Sequence, residues 1–379
     1  MDAVDRPAAQ SLSSRPARLA ARGARPESPA ALAPHAEPGH WVATAPLATA
    51  RQFHTATRLA NGCVLVVGGT RAAGDLASAE VFDPSTQRWR AASALATARY
   101  YHCATLLSDG TVLVTGGFNG TYLCAAERYD PVLDRWSAAG SMLAAHGLHS
   151  ATLLANGQVL IAGGYAANGA FNRAELYDPD THLWQHARSL RNGRGYHTAT
   201  RLGDGYVLLA GGVEPSGAIA SVEFFDVRWQ AWFDGPALNK ARLRHTATLL
   251  ENGCLLVAAG DDGASSYTTA AEIYDPVAHR WSAAGSLRFG REYCTATLLA
   301  HSRVLLVGGY GASGMLASAE CYCAAKQTWH NAGQLDTARY LHTATSLHGG
   351  DVLVVGGMGA TGALASVELF SSDGCTAAS

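Results

Sequence analysis

The sequence predicts an all-β protein, a seven-bladed β-propeller closed by an N-terminal strand. Three observations carry that expectation. Four kinds of landmark recur seven times between residues 41 and 370. The spacings inside each copy are nearly invariant, and all the variation in length falls in one loop. No stretch keeps a helical apolar period, whereas every copy holds short runs of the kind that form strands.

The landmarks come in a fixed order. Trp stands at 41, 89, 136, 184, 232, 281 and 329, and 13 residues later come His54, His102, His149, His197, His245, Cys294 and His342. A further 14 residues on lies a Gly pair, beginning at Gly68, Gly116, Gly163, Gly211, Gly308 and Gly356, with Ala259-Gly260 in the fifth copy. Glu80, Glu127, Glu175, Glu223, Glu272, Glu320 and Glu368 complete the set, and each of the first six precedes the next Trp by 9 residues. Only the step from the Gly pair to Glu varies, between 11 and 13 residues.

Each copy reads as four strands. In the first copy, His54 to Leu59 is one strand, and Asn61-Gly62 is a turn. Cys63 to Gly68 is a continuous apolar run, the signature of a strand buried on both faces. Ser78 to Asp83 is the third strand, Asp83-Pro84 turns the chain, and Arg88-Trp89 opens the fourth. A four-stranded sheet cannot bury both faces alone, so seven of them stack radially. The seventh copy stops after Phe370 without its own Trp, and Trp41 precedes any first strand. The N-terminal segment is therefore expected to supply the outer strand of blade seven, which removes an open sheet edge. The expected division is a tail at 1–38, the propeller at 39–371 and a C-terminal tail at 372–379.

Composition narrows the function classes. Lys+Arg 28 against Asp+Glu 30 leaves a net charge of −2, without the basic excess that nucleic acid or an anionic membrane surface demands. No apolar run is long enough for a spanning helix. The eight cysteines are scattered and lack metal-ligand spacing, which reads as free thiols in a reducing, cytoplasmic compartment. Residues 1–38 carry five arginines and six prolines with no continuous apolar stretch. They read as a disordered tail, with an organelle or export address as the alternative.

The Gly pair, the aromatic after Glu and the following Trp, here Gly68-Gly69, Phe82 and Trp89, resemble the kelch repeat. The resemblance recurs seven times over residues 41–370 and implies a β-propeller. A feature present in every blade is best explained by architecture. The Glu column, the His column and the residues three before it (Arg51, Arg99, His146, Arg194, Arg242, Arg291, Arg339) are accordingly read as blade-to-blade ties.

Function is expected where the copies differ. The loops between the fourth and first strands and those after the Gly pair should open on one face, and in peptide-binding kelch proteins both sets touch the ligand. Phe53, Tyr101, Tyr165, Tyr196, Arg244, Asp261, Tyr293 and Tyr310 are the candidate ligand-binding residues. Aromatic anchors with sparse charges suit a protein or peptide, and a carbohydrate is a further candidate. The same aromatics could instead plug the channel. The expected function is a non-enzymatic interaction scaffold without a cofactor.

The alternative is a copper- or carbohydrate-dependent enzyme. Arg99-Tyr-Tyr-His102 and Arg194-Gly-Tyr-His197 are similar to blade segments of galactose oxidase and related copper radical oxidases. That resemblance implies a Tyr–His pair on copper, a Tyr cross-linked to Cys and a further His from a C-terminal domain. Cys294 is the one cysteine in the His column, and the matching position in the next blade is Leu341, with Tyr340 one place off.

Overall fold

A computed structural model describes residues 40–264 and 266–371. They form seven four-stranded antiparallel sheets, and no helix occurs among them. Blade one runs outward through Thr55–Arg58, Val64–Val67, Ala79–Asp83 and Arg88–Ala92. The first strands of successive blades lie against one another all the way round, the seventh against the first. Blade seven is Thr343–Ser346, Val352–Val355 and Val367–Ser371, completed by His40–Thr44. The register of that last pairing, with Trp41 opposite Phe370, confirms the closure. The expected tails at 1–38 and 372–379 lie outside the described residues.

The second strand of every blade is buried because both its faces meet a neighbouring sheet, and Val64–Val67 is 0–1% exposed. The apolar core is consequently divided into seven clusters, one at each blade boundary. Leu65 and Val67 of blade one, for example, pack on Val112, Val114 and Tyr129 of blade two. Each such side chain contributes about 1.5–3 kcal/mol through burial.

Polar ties reinforce the same boundaries. Every column Trp donates its indole N–H to a backbone carbonyl beside the outer edge of the preceding blade, at 2.7–3.0 Å. Trp41 does so to Ala332 of blade six, taking the role of blade seven's own Trp. Each Trp also lies 4.8–5.2 Å from an aromatic ring on the third strand.

In six blades a buried Arg pairs with the blade's Glu at 2.6–2.8 Å. All seven Glu carboxylates accept from backbone N–H groups of the linker entering their blade. The ion pair thus fixes the loop that joins one blade to the next, as the seven-fold repetition suggested. The column histidines reach sideways: His102 meets Thr55, His197 meets Ser150, His245 meets Thr198, His342 meets Thr295 and His54 meets Thr343, at 2.9–3.0 Å. Blade two has Cys103 at the Thr position, and His149 turns to Thr115 at 2.9 Å instead.

Candidate functional site

Both loop sets do open on one face, and the backbone locks them together. In every blade the residue two before the His column forms a β-bridge with the residue after the Gly pair: Gln52 with Thr70, Tyr100 with Phe118, Gly147 with Tyr165, Gly195 with Val213, Leu243 with Asp261, Glu292 with Tyr310, and Tyr340 with Met358. The second Gly of each pair is needed for this close approach. A Cβ on Gly69 would lie 2.6 Å from the Gln52 carbonyl, and its φ of 94° disfavours any side chain. Beyond the bridge, blades one, three, four, six and seven carry a two-residue hairpin such as Thr70–Arg71 with Gly74–Asp75. These hairpins have no sustained alternation, so sequence pattern passed over them.

Nearest the axis is a ring of seven residues, one from each blade: Phe53, Tyr101, Leu148, Tyr196, Arg244, Tyr293 and Leu341. All adopt left-handed backbone with φ of 52–57°, which is unfavourable for residues carrying a Cβ. Backbone hydrogen bonds between neighbouring ring members offset that cost, as from Leu148 N–H to the Tyr101 carbonyl at 3.0 Å and from Arg244 N–H to Tyr196 at 3.1 Å. The side chains turn inward. Phe53 meets Tyr101 edge-on at 4.4 Å, and Tyr293 lies 6.3 Å from Phe53 and 6.1 Å from Tyr196.

Arg244 is sandwiched between the Tyr196 and Tyr293 rings at 4.7 and 4.8 Å. Its guanidinium pairs with Glu292 at 2.9 Å. Burial works against its charge, but Tyr293, Glu292 and Tyr196 outweigh that effect and hold it protonated. Burial is also the main reason that the Tyr101 and Tyr293 phenols are pushed well above their ordinary range. The hydroxyls of Tyr101, Tyr196 and Tyr293 are buried; those of Tyr101 and Tyr196 approach each other, and that of Tyr293 has no hydrogen-bond partner.

This geometry divides the sequence-predicted residues. Tyr101 is only 5% exposed, whereas Phe53, Tyr196, Arg244 and Tyr293, which pack round it across the channel, remain half-buried. For Tyr101 the alternative reading, a channel plug, fits the burial: its left-handed backbone turns the ring inward. Asp261 is 3% exposed and accepts the Gly263 N–H at 2.6 Å, so it stabilises its own loop instead of lending polarity to the face.

Tyr165 and Tyr310 lie further out and are half-buried. Tyr165 lies over Gly195, where a Cβ would be only 2.4 Å from its ring. Sequence reasoning left out of the candidate set four other half-buried tyrosines of this tier, Tyr100, Tyr122, Tyr267 and Tyr340. Tyr122 and Tyr267 follow the Gly pair at variable distance, so no column marks them. Phe118 links Tyr100 at 5.6 Å to Tyr122 at 5.1 Å, and Tyr310 lies 5.4 Å from Tyr340 and 6.1 Å from Tyr267. The opposite face has an open cleft of about 580 Å³ between blades one and two, lined by Leu59, Asn61, Asp109 and Val132 among others. It lacks the converging aromatic rings of the loop face.

The donors do not fit a copper radical centre. His102 and His197 direct their Nε2 atoms to Thr55 and Ser150 at the blade boundaries, away from the Tyr101 and Tyr196 hydroxyls. Cys294 packs in the apolar cluster between blades five and six, and burial pushes its thiol up to about 12. Leu341 stands where its cross-linking phenol would be. Among the described residues no group of three His, Cys, Asp or Glu side chains is placed to hold a metal ion.

Comparison with known proteins agrees with the architecture. A fungal alcohol oxidase of the AA5 family, solved in complex with copper, superposes with a TM-score of 0.75 at 16% identity, over 88% of this chain and 76% of its own. That likeness is one of fold. Among curated protein sequences none matches. The Kelch motif model matches residues 54–95 and 99–143, and the KLHDC2/KLHL20/DRC7 Kelch-repeats domain matches residues 148–357. With the latter spanning more than half of its length, the chain belongs to the kelch-repeat family.

Proposed function

We propose that the chain is a non-enzymatic binding module that takes a protein or peptide segment on its aromatic loop face. The observation that carries this reading is the outer tier of six half-buried tyrosines: Tyr100, Tyr122, Tyr165, Tyr267, Tyr310 and Tyr340. Tyr presents a large amphipathic contact area and loses little side-chain entropy when it is immobilised. The loops that carry these rings are already fixed by the seven bridges and by the Glu carboxylates behind them, so binding costs little ordering. Membership of the kelch family supports a protein partner, and the half-buried outer tyrosines leave part of each ring open to it.

A display selection of random peptides on the immobilised protein tests the proposal, with the variant Tyr310→Ala/Tyr340→Ala as a parallel target. Peptides enriched on the wild type alone are the expected result. Peptides enriched equally on both targets, or on neither, would overturn it.

A further inference from the structure

Blade three breaks the ion-pair rule. His146 stands where the other six blades place Arg, yet Glu175 is retained and fully buried. In the six regular blades the guanidinium fills a nest of oxygens. Arg51, for instance, donates to the carbonyls of Gly68 and Ser78 and to Glu80 Oε1. Arg99, Arg194, Arg242, Arg291 and Arg339 repeat that set. The corresponding oxygens of blade three are the carbonyls of Gly163 and Arg173 and Glu175 Oε1, and Gly163 N–H bonds the Arg173 carbonyl just as Gly68 bonds Ser78.

His146 does not replace the guanidinium. Its ring is drawn onto His149, stacked at 4.8 Å and 17°, with Phe171 against its edge at 5.1 Å. The ring faces the Gly163 carbonyl, yet neither of its nitrogens completes a well-formed hydrogen bond, and Glu175 Oε1, approached only by the Ala144 N–H, completes none either. The other oxygen, Oε2, accepts the Leu143 N–H at 2.7 Å. Arg173 does not fill the gap, since it is exposed and lies over the Phe171 ring at 5.8 Å. A buried carboxylate oxygen left unpaired carries a large desolvation penalty, and such atoms mark an unseen occupant.

We infer that blade three holds a small monovalent cation, of the potassium or ammonium class, between Glu175 and the carbonyls of Gly163 and Arg173. The six sister sites define the required chemistry: one positive charge, with donors or coordination directed at two carbonyls and one carboxylate. A potassium ion or an ammonium ion meets it without a covalent tether. Burial pushes the Glu175 carboxyl upward despite the Leu143 and Ala144 N–H groups, so a proton competes with the cation for the same oxygen.

Thermal melts of the full chain test the assignment, starting from tetramethylammonium chloride, whose cation is too large to enter. Replacing it by potassium or ammonium chloride at constant ionic strength should raise the wild-type Tm by roughly 2–4 °C, saturating with concentration. The ion that acts at lower concentration identifies the occupant. His146→Arg, which supplies the charge covalently, should melt higher than the wild type and lose the response, and Glu175→Gln should lose it too. Should either variant fail to fold, a bound ¹⁵N-ammonium resonance displaced by potassium provides the readout on the wild type. A wild-type Tm indifferent to all these cations would mean a buried water only, and an unchanged response in both variants would place the effect elsewhere; either result overturns the inference.

Discussion

Ala259 of blade five and Cys294 of blade six pack in one apolar cluster, at a boundary where the other six blade pairs set a glycine against a histidine. At those six boundaries a Cβ on the glycine would lie 2.8–3.0 Å from the histidine Cε1, so no methyl fits. Cys294 shortens the opposing side chain and makes room for Ala259. Thr246, left without its histidine, turns its hydroxyl to the Ala258 carbonyl at 3.2 Å. Two departures from the repeat are therefore one compensated exchange.

Restoring one partner without the other should be harmful. Cys294→His against Ala259 is expected to lose about 1–3 kcal/mol through overpacking. Adding Ala259→Gly should recover most of that loss, giving a coupling of about 0.5–3 kcal/mol in a double-mutant cycle. Urea denaturation of the four proteins reads the coupling directly, and strict additivity would refute the shared contact.

The closing strand sets a second expectation. A chain lacking residues 1–35 keeps His40–Thr44 and should melt like the full chain. A chain lacking residues 1–48 loses the pairing with Val367–Ser371, the Trp41–Phe370 contact at 5.0 Å and the Trp41 hydrogen bond to Ala332. Burial of one large side chain alone contributes about 1.5–3 kcal/mol, so the shorter chain should melt several degrees lower. Equal melting temperatures would contradict closure by this strand.

Much of this was legible before any coordinates. Fixed spacing identified seven blades, and the missing Trp of the seventh copy located the clasp, because repetition averages away local ambiguity. That the two loop sets share one face was legible too, since strand order alone places them there. The split within the face was not. Whether Tyr101 points to the axis or to solvent depends on a left-handed φ of 57°, which no residue type at that position announces. Tyr122 and Tyr267 escaped notice because they sit in the one loop whose length varies, where column alignment fails. The blade-three anomaly was visible as His146, but only the unpaired Glu175 oxygen gives it a consequence.

Acid should weaken the ring. Burial, followed by the nearby column arginines, holds His102 and His342 down to about 3 from an ordinary value of 6.5. A depressed folded-state value means that the stabilisation is present above pH 6.5 and is lost as the pH falls toward 3. Each such group costs roughly 1.4 kcal/mol per pH unit within that window. His102→Gln keeps a side chain able to bond Thr55 and removes the titration. It should flatten the decline in urea midpoint between pH 6.5 and 4.5, and an unchanged slope would show that His102 does not resist protonation.

The inner ring and the outer tier should behave differently on truncation. Tyr101→Ala/Tyr196→Ala is expected to cost about 3–5 kcal/mol at the buried Tyr101 ring, as a large-to-small change in packed surroundings, and less at the half-buried Tyr196. Tyr310→Ala/Tyr340→Ala removes half-buried rings and should shift the melting temperature by only about 2 °C. A wild-type Tm in the Tyr101/Tyr196 variant would show that these residues are not a plug.

Calorimetric titration of a selected peptide against the wild type and against Tyr310→Ala/Tyr340→Ala tests the central claim most directly. Hot-spot aromatics contribute about 2 kcal/mol or more apiece, so each ring should be worth about 30-fold and the double variant should bind roughly a thousandfold more weakly. Its melting temperature should stay near that of the wild type, which separates lost contact from lost structure. An unchanged Kd in a fully folded variant would place the ligand elsewhere on the propeller and contradict the account.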